Sequence, residues 1–341
     1  MSIELIISLV KANIVLAVLL TNTILLIWFE RKVVAGMQSR VGPDRAGPFG
    51  ILQTLADAIK LLLKEQILPL KADRAMYLLA PLIALVPSFL IFMIIPLGPD
   101  ITVEWQNALY TIPLVGADLN VGVLYFLALS SIAVYSVVLA GWSSGSKYPL
   151  LGGVRASAQM ISYEAAMGLA LVPVILYSGS LSLVDIVNSQ SGNLSSSIPI
   201  LNTIVSFIPK WNIFPQFVAF GIFFIAAVAE VNRAPFDLVE AEQELVGGFH
   251  TEYSGFRFAM FFLAEYINMF NMCAITATFF LGGWLGPTFE GILPPIFSVI
   301  MPIIWLGVKT FLLLFVFVWI RATLPRLRYD QLMELGWKRM I

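Results

Sequence analysis

Seven long apolar runs constrain the fold of this 341-residue chain more than any other feature of its sequence. They lie near residues 5–29, 75–96, 118–140, 156–177, 213–230, 257–283 and 295–320. A helix that crosses a bilayer needs about 20 mostly apolar residues, and its backbone groups must pair within the protein because lipid offers no water. A closed barrel would show short segments of alternating polarity, which this sequence lacks. The runs therefore predict an all-α polytopic membrane protein with about seven transmembrane helices.

The composition and the first run favour a single transmembrane domain over residues 1–341. Hydrophobic residues make up 59% of the chain and charged residues 12%, about half the charged share of a soluble domain. The first run is too long for the core of a signal peptide, and no small-residue cleavage site follows it. We therefore expect it to be retained as the first transmembrane helix.

Basic residues are concentrated in alternate loops. Eight Lys or Arg lie between Arg31 and Arg74, two in 141–156, two in 231–257 and five from Arg321 to Arg339. The intervening loops, at 97–117, 178–212 and 284–294, contain Lys210 alone. Because basic loops stay on the cytoplasmic side, this asymmetry predicts an outer N-terminus and an inner C-terminus.

The segment 48–66 is predicted to be an amphipathic helix on the membrane surface. It follows RVGPDRAGPFG at 40–50, a Gly/Pro-rich stretch that cannot continue a helix. Its apolar residues recur at helical spacing, and polar residues repeat on the opposite face: Gln53, Asp57, Lys60 and Lys64. A plain membrane anchor is the alternative interpretation, but anionic lipid has no use for an acid at position 57.

Acidic residues occur where lipid makes them costly. Glu164 and Glu265 lie inside apolar runs, and Glu230 ends another. Such groups cost several kcal/mol at that depth, and they mark proton or ion paths unless they are paired. The runs offer only Lys11 and Lys309 as embedded cations, too few to pair with every acid. We therefore expect a proton or ion path rather than structural ion pairs.

The inner loop 231–257 is predicted to extend this path. Between Arg233 and Arg257 it contains no Lys or Arg but five acids: Asp237, Glu240, Glu242, Glu244 and Glu252. If the loop is helical, three of them share a face and repel one another, so that some hold protons near neutral pH. A solvated acidic loop is the alternative, although the apolar residues between the acids favour a packed segment.

One cysteine and one histidine exclude a redox centre in this chain. Iron–sulfur clusters need several thiolates and haems need axial ligands, and this sequence has only Cys273 and His250. Cys273 is expected to be a small buried hydrophobe. His250 is either a proton relay or an ordinary loop residue.

Four blocks of sequence resemble a known family, the core membrane subunit that joins the membrane arm of respiratory complex I to its quinone-reducing peripheral arm. They are ERKVVAGMQSRVGPDRAGPFGILQTLADAIKLLLKE (30–65), GWSSGSKYPLLGGVRASAQMISYE (141–164), EVNRAPFDLVEAEQELVGGFHTEYSG (230–255) and IRATLPRLRYDQLMELGW (320–337). The resemblance covers nearly the whole chain. The family usually has eight transmembrane helices, the last of them after the fourth block.

The resemblance implies a site for ubiquinone or menaquinone and an acidic path from it to the pumping subunits. The residues that would line or support the quinone entrance and chamber are Arg31, Arg40, Asp57 and Lys60. The residues that match the acidic path are Glu164, Glu230, Glu240, Glu242, Glu244, Glu252 and Glu265, with Glu30 and Asp237 beside it.

The resemblance also implies the cofactors and partners. This chain would bind no cofactor itself and would take quinone as substrate, while FMN and iron–sulfur clusters would lie on partner subunits. Those partners would be peripheral iron–sulfur and quinone-site subunits, small membrane subunits and antiporter-like subunits, with lipid around them and no nucleic acid. The bacterial inner membrane is the expected location, and the mitochondrial inner membrane is the alternative.

Two other functions stay open at this point. The equivalent subunit of a membrane-bound hydrogenase or formate hydrogenlyase would dock a nickel–iron partner, although the block at 30–65 argues against it. A lone ion–proton antiporter would exchange ions in vesicles by itself, which distinguishes it from a subunit that needs redox partners.

Overall fold

The computed structural model describes residues 3–105, 108–193, 209–237, 246–287 and 296–341. Its helices are α1 (Ile3–Met37), α2 (Gln53–Leu63), α3 (Arg74–Met93), α4 (Gly122–Ser143), α5 (Lys147–Ser178), α6 (Leu183–Ser189), α7 (Phe217–Glu230), α8 (Gly255–Phe280), α9 (Ile296–Thr323) and α10 (Tyr329–Glu334). Short 3₁₀ turns lie at Pro48–Gly50 and Gly248–His250, and a π-helix at Leu335–Met340 follows α10. The predicted all-α polytopic class is confirmed.

Six helices of the described residues, α1, α3, α4, α5, α8 and α9, are long and apolar enough to cross a membrane by length and composition. The fifth predicted run, 213–230, forms only the 14-residue helix α7. Pro215 lies in its first part, where it supplies no backbone N–H, and the helix begins two residues later. The Asn212 side chain also donates to the Phe279 carbonyl over 2.8 Å, which ties this segment to the end of α8.

Close helix packing positions the site. α4 packs between α3 and α5, while α7 packs on α5 and α8 packs on α3 and α9. A Cβ at Gly141 of α4 would lie 2.5 Å from the Pro149 carbonyl oxygen and 3.2 Å from the Gly153 Cα on α5. Only glycine permits this approach, which brings the polar side chains of α4 next to those of α5.

The loops form two groups at opposite ends of the helices. At one end, backbone N–H groups donate from Asp73 to Ser143 O (3.0 Å), from Ile67 to Ser254 Oγ (3.0 Å) and from Leu327 to Pro235 O (2.9 Å). At the other end they donate from Leu97 to Leu114 O (2.9 Å), from Val123 to Leu181 O (3.0 Å) and from Ile213 to Phe280 O (2.9 Å). The first group joins the basic loops, so positive charge gathers at one end of the bundle, called the basic end below.

A β-hairpin that the sequence did not predict lies at the other end. Strands β1 (Ile101–Trp105) and β2 (Ala108–Ile112) pair antiparallel, with Ile101 opposite Ile112. The Lys11 side chain of α1 donates to the Pro113 carbonyl, just after the hairpin, over 2.8 Å. This contact attaches the hairpin to the first helix.

Helix α2 occupies the central part of the 48–66 segment and contacts α1 and α8. The turn before it depends on Gly50, where φ is +77° and a Cβ would overlap the Pro43 carbonyl group. The indole N–H of Trp28 on α1 donates to the Phe49 carbonyl over 2.9 Å. The Gly/Pro-rich block therefore folds into a tight turn that holds α2 against α1.

Candidate functional site

Glu30, near the basic end of α1, is only 5% exposed. Its carboxylate accepts hydrogen bonds from the Tyr266 hydroxyl over 2.8 Å and from the Arg321 guanidinium. Arg233 approaches the same carboxylate, with 3.6 Å between Nη1 and Oε1. Three helices and one loop thus meet at a single buried acid.

Arg233 bridges two acids. It is 4% exposed, and its Nε lies 2.8 Å from Glu265 Oε1 on α8, an ion-pair contact that is not aligned as a hydrogen bond. Its guanidinium also lies 4.5 Å from the centroid of the Tyr266 ring. We call Glu30, Arg233, Glu265, Tyr266 and Arg321 the arginine cluster.

The arginine cluster corrects one expectation from the sequence. The sequence predicts a proton or ion path rather than ion pairs for Glu164, Glu230 and Glu265, and for Glu265 the expected lack of a pairing cation is wrong. Glu30 is paired as well. The pairing cations come from outside the centres of the runs. Asn232 turns the chain with φ +53° and Arg233 follows α7 into the protein, while Arg321 reaches inward from the end of α9.

The embedded lysines bind carbonyls instead of acids. Lys309 Nζ donates to the carbonyl oxygens of Leu281 (2.6 Å), Gly283 (2.9 Å) and Leu285 (2.5 Å), and it lies 4.3 Å from the Trp211 ring centroid. Backbone carbonyl dipoles just beyond the end of α8 therefore stabilise the Lys309 ammonium group, and Lys11 binds the Pro113 carbonyl instead of an acid.

Asp237 is also paired. It is 3% exposed, and its carboxylate accepts from Arg326 over 3.1 Å. The neighbouring Phe236 ring packs edge-on against Tyr163 at 5.3 Å. Residues 231–237 thus form a packed segment, whereas Glu240, Glu242 and Glu244 lie outside the described residues.

Glu230 and Glu164 have a different environment from the paired acids. Glu230, at the end of α7, is 5% exposed and accepts from Ser130 over 2.8 Å. Glu164 on α5 is half-buried and accepts from Ser131. No Lys or Arg of the described ranges lies within ion-pair distance of either acid. Two adjacent serines of α4 thus hold two acids to which the described residues supply no ion-paired cation.

A partly open cavity of about 80 Å³ lies between the two kinds of acid. Glu265 of the arginine cluster and Glu230 both line it, together with His250 from the turn after the acidic loop. Glu164 lies instead in a shallow pocket of about 340 Å³ between α4 and α5, lined otherwise by apolar residues and glycine. The acids thus follow one another from α1 across the bundle to this pocket.

Of the predicted quinone residues, the structure brings two together. Arg31, next to Glu30 on α1, binds Asp57 of α2 with 2.7 Å between Nη1 and Oδ2. Arg40 is exposed and bonds to Gln38 over 2.7 Å, and Lys60 is exposed on α2.

Glu252 belongs to a separate aromatic group. Its backbone carbonyl accepts from the Tyr77 hydroxyl over 2.8 Å, and Tyr77 stacks on Tyr253 with 4.1 Å between ring centroids. The Arg257 guanidinium lies 5.5 Å from the Tyr77 ring centroid. Burial raises the pKa of Tyr253 to about 12, so its hydroxyl stays a neutral donor at physiological pH.

Sequence reasoning missed the partners of the acids. Ser130 and Ser131 form a serine pair within an apolar run, a signal that could have been noticed. The roles of Arg233, Arg321 and Tyr266 depend on contacts between distant segments, which no local pattern indicates.

Comparisons with known proteins match the chain almost throughout. A family model described as NADH dehydrogenase matches residues 10–341. The chain is 48% identical to an H subunit of the NADH-quinone oxidoreductase of Koribacter versatilis, over 99% of this chain and 93% of the relative. It is 51% identical to an H subunit from Syntrophobacter fumaroxidans, over 97% and 90%. It is 52% identical to the H subunit from Frankia casuarinae, over 98% and 69%.

Proposed function

Because this chain belongs to the NADH dehydrogenase family, as an H subunit of NADH-quinone oxidoreductase (complex I), we propose that it forms the quinone entrance and the first part of the proton path. Membership makes it part of an enzyme complex whose other subunits are its partners. The proposal adds which residues of this chain meet the quinone and which pass protons.

The quinone half rests on α1, α2 and the turn between them. The Arg31–Asp57 pair holds α2 against α1 beside the buried Glu30, and α2 exposes Leu55, Ile59 and Leu62. An apolar helix face with a polar edge suits a quinone, whose tail is apolar and whose head group takes hydrogen bonds. Arg31 and Asp57 would line the entrance, with Arg40 and Lys60 supporting it from the exposed side. Ubiquinone and menaquinone both fit this chemistry.

The coupling half rests on one observation. Glu30 and Arg31 are neighbours on α1. Glu30 belongs to the arginine cluster, whereas Arg31 binds Asp57 of α2. A unit charge about 4 Å away changes the energy of a carboxylate by about 4 kcal/mol at an effective dielectric constant near 20. Charge that appears on a quinone beside α2 would therefore act on Glu30 and, through Arg233, on Glu265.

Protons would then move through the acids that line the cavity and the open pocket. Glu265 and Glu230 line one cavity, and the adjacent serines of α4 connect Glu230 to Glu164. We place Glu30 and Asp237 beside the path as paired acids. Glu240, Glu242, Glu244 and Glu252 are proposed to supply it from the acidic loop, on the resemblance alone.

The proposed location is the bacterial inner membrane with an outer N-terminus. The basic loops lie together at the basic end, and positive loops remain in the cytoplasm. The peripheral iron–sulfur and quinone-site subunits would dock at that end. The small membrane subunits and antiporter-like subunits would lie beside α4 and α5, where Glu164 faces its open pocket.

The test is Glu230→Gln in the tagged native complex, with Glu334→Gln as the matched control, because Glu334 is exposed and bonds only loosely to Lys338 (3.4 Å). Glutamine still accepts the Ser130 hydrogen bond, so the complex should assemble. Inhibitor-sensitive NADH:quinone reduction and proton uptake by vesicles should fall by about tenfold or more, while the control stays at the wild-type rate. Wild-type reduction and pumping in Glu230→Gln would overturn the proposal.

A further inference from the structure

The cavity between Glu230 and Glu265 has polar walls on several sides. Its titratable lining groups are Glu230 from α7, Glu265 from α8 and His250 from the 3₁₀ turn. Helix α3 contributes alanine, α5 contributes methionine, and the polar contribution of α4 is a serine hydroxyl. Any proton that crosses this space must therefore use these three groups or water between them.

Three buried oxygens point to water in the cavity. Glu230 Oε2, Asn232 Oδ1 and Asn268 Oδ1 accept no hydrogen bond from the described part of the chain, and all three residues line the cavity. An unsatisfied buried acceptor costs about 1–3 kcal/mol, whereas a polar cavity of this size holds a few water molecules that satisfy it. Water is the simplest donor to all three oxygens.

The imidazole of His250 is held at the cavity wall by packing. Its ring makes edge contacts with Phe249, Phe258 and Phe262, at centroid distances of 5.0, 5.4 and 6.2 Å. The turn that carries it is pressed on α5, where a Cβ at Gly152 would lie 2.7 Å from the Gly248 Cα. Packing therefore holds the ring in place at the cavity wall.

We propose that His250, with water held in this cavity, is the proton relay that joins Glu265 to Glu230; the inference rests on the proposed function of these acids. A proton from the Glu265 carboxyl reaches one imidazole nitrogen, and the resulting imidazolium releases the proton on its other nitrogen to the Glu230 carboxylate. No electrons move, and charge is conserved at each step. Arg233 stabilises the Glu265 carboxylate that remains, which favours release towards His250.

The first test is His250→Asn in the purified native complex, reconstituted in vesicles. Asparagine keeps a hydrogen-bonding side chain but cannot carry a proton between pH 5 and 8. Quinone reduction should fall about tenfold, and the part of its pH profile that titrates in this range should disappear. NADH oxidation by a water-soluble acceptor that bypasses the quinone site should stay unchanged, which shows that the electron path ahead of that site still works.

A second variant leaves His250 in place and removes the water. Ala264→Val adds volume at a buried, non-titratable wall of the cavity, and it should slow quinone reduction without changing the oxidation of NADH by the soluble acceptor. If His250→Asn does not assemble, this variant still tests whether proton transfer needs the water held in the cavity.

The outcomes separate the relay from the proposed function. If Glu230→Gln is impaired while His250→Asn, or Ala264→Val in its place, keeps the wild-type rate and pH profile, the relay is wrong and the acidic path stands. If Glu230→Gln itself is fully active, the proposed function fails and the relay fails with it.

Discussion

The five acids that the structure describes within the helix bundle fall into two groups with different partners. Glu30, Glu265 and Asp237 each contact an arginine, whereas Glu230 and Glu164 each accept a hydrogen bond from a serine. A guanidinium favours the charged form of a carboxylate, whereas a hydroxyl can bond to either form of a carboxyl group. Glu30 and Asp237 thus resemble a charge scaffold, and the serine-bound acids are better placed to gain and lose protons. Glu265 belongs to both kinds, because it contacts Arg233 and also lines the cavity with Glu230.

The largest expected effect comes from removing the arginine that two acids share. Arg233→Met would leave Glu30 with Arg321 alone and Glu265 without its guanidinium, both within the protein. Removing one partner of a buried ion pair costs about 3–5 kcal/mol, so we expect little assembled complex.

The amount of intact complex on native gels would measure this loss. Lys338→Met, in an exposed pair with Glu334, is the control and should assemble normally. Normal assembly of Arg233→Met would show that the arginine cluster does not stabilise the fold. It would contradict the distinction between arginine-paired and serine-bound acids.

The next effect compares one acid from each group. Glu30→Gln leaves Arg233 and Arg321 close together without their shared carboxylate, and it should lower stability by about 2–3 kcal/mol. Glu230→Gln keeps its serine hydrogen bond and should change stability by less than about 1 kcal/mol. Thermal unfolding of the two purified complexes measures the difference. Equal losses in both variants would contradict the division into two groups.

A smaller effect on stability is expected for the Asp237–Arg326 pair. Asp237 is buried but Arg326 is about half-exposed, so solvent screens their pair. A double-mutant cycle of Asp237→Asn and Arg326→Met should give a coupling of about 1 kcal/mol in thermal stability. A coupling as large as that expected in the arginine cluster would mean that burial of the acid alone sets the strength of the ion pair.

The smallest effect on stability is expected at the quinone entrance. Both side chains of the Arg31–Asp57 pair are more than one third exposed, so its loss should cost under about 1 kcal/mol. Asp57→Asn should nevertheless raise the KM for quinone severalfold, because the Arg31 guanidinium would lose the carboxylate that fixes it at the entrance. Asp330→Asn, which removes the exposed ion pair with Arg328 elsewhere in the chain, is the control. An unchanged KM in Asp57→Asn would separate this pair from the quinone.

Sequence patterns predicted the helices well and the contacts poorly. Apolar runs long enough for a bilayer form helices wherever the structure describes them, since lipid leaves the backbone few alternatives. The exception is α7, which is shorter than the apolar run that predicts it. Pro215 lies inside that run, and the helix begins only after it. The pairing of Arg233 with Glu265 depends on a turn after α7 and a helix about thirty residues later. Local periodicity carries no information about a contact between such distant segments.

The open pocket of Glu164 couples the folding of this chain to its assembly with a neighbouring protein. An acid that faces hydrocarbon costs several kcal/mol, and Leu127, Ile161 and Ala165 around it offer no polar cover. A neighbouring protein that covers this pocket would bind the folded chain and not the unfolded one, so it would act as a stabilising ligand. The stability of this chain would then depend on the concentration of that neighbour, and folding and assembly would be one thermodynamic process.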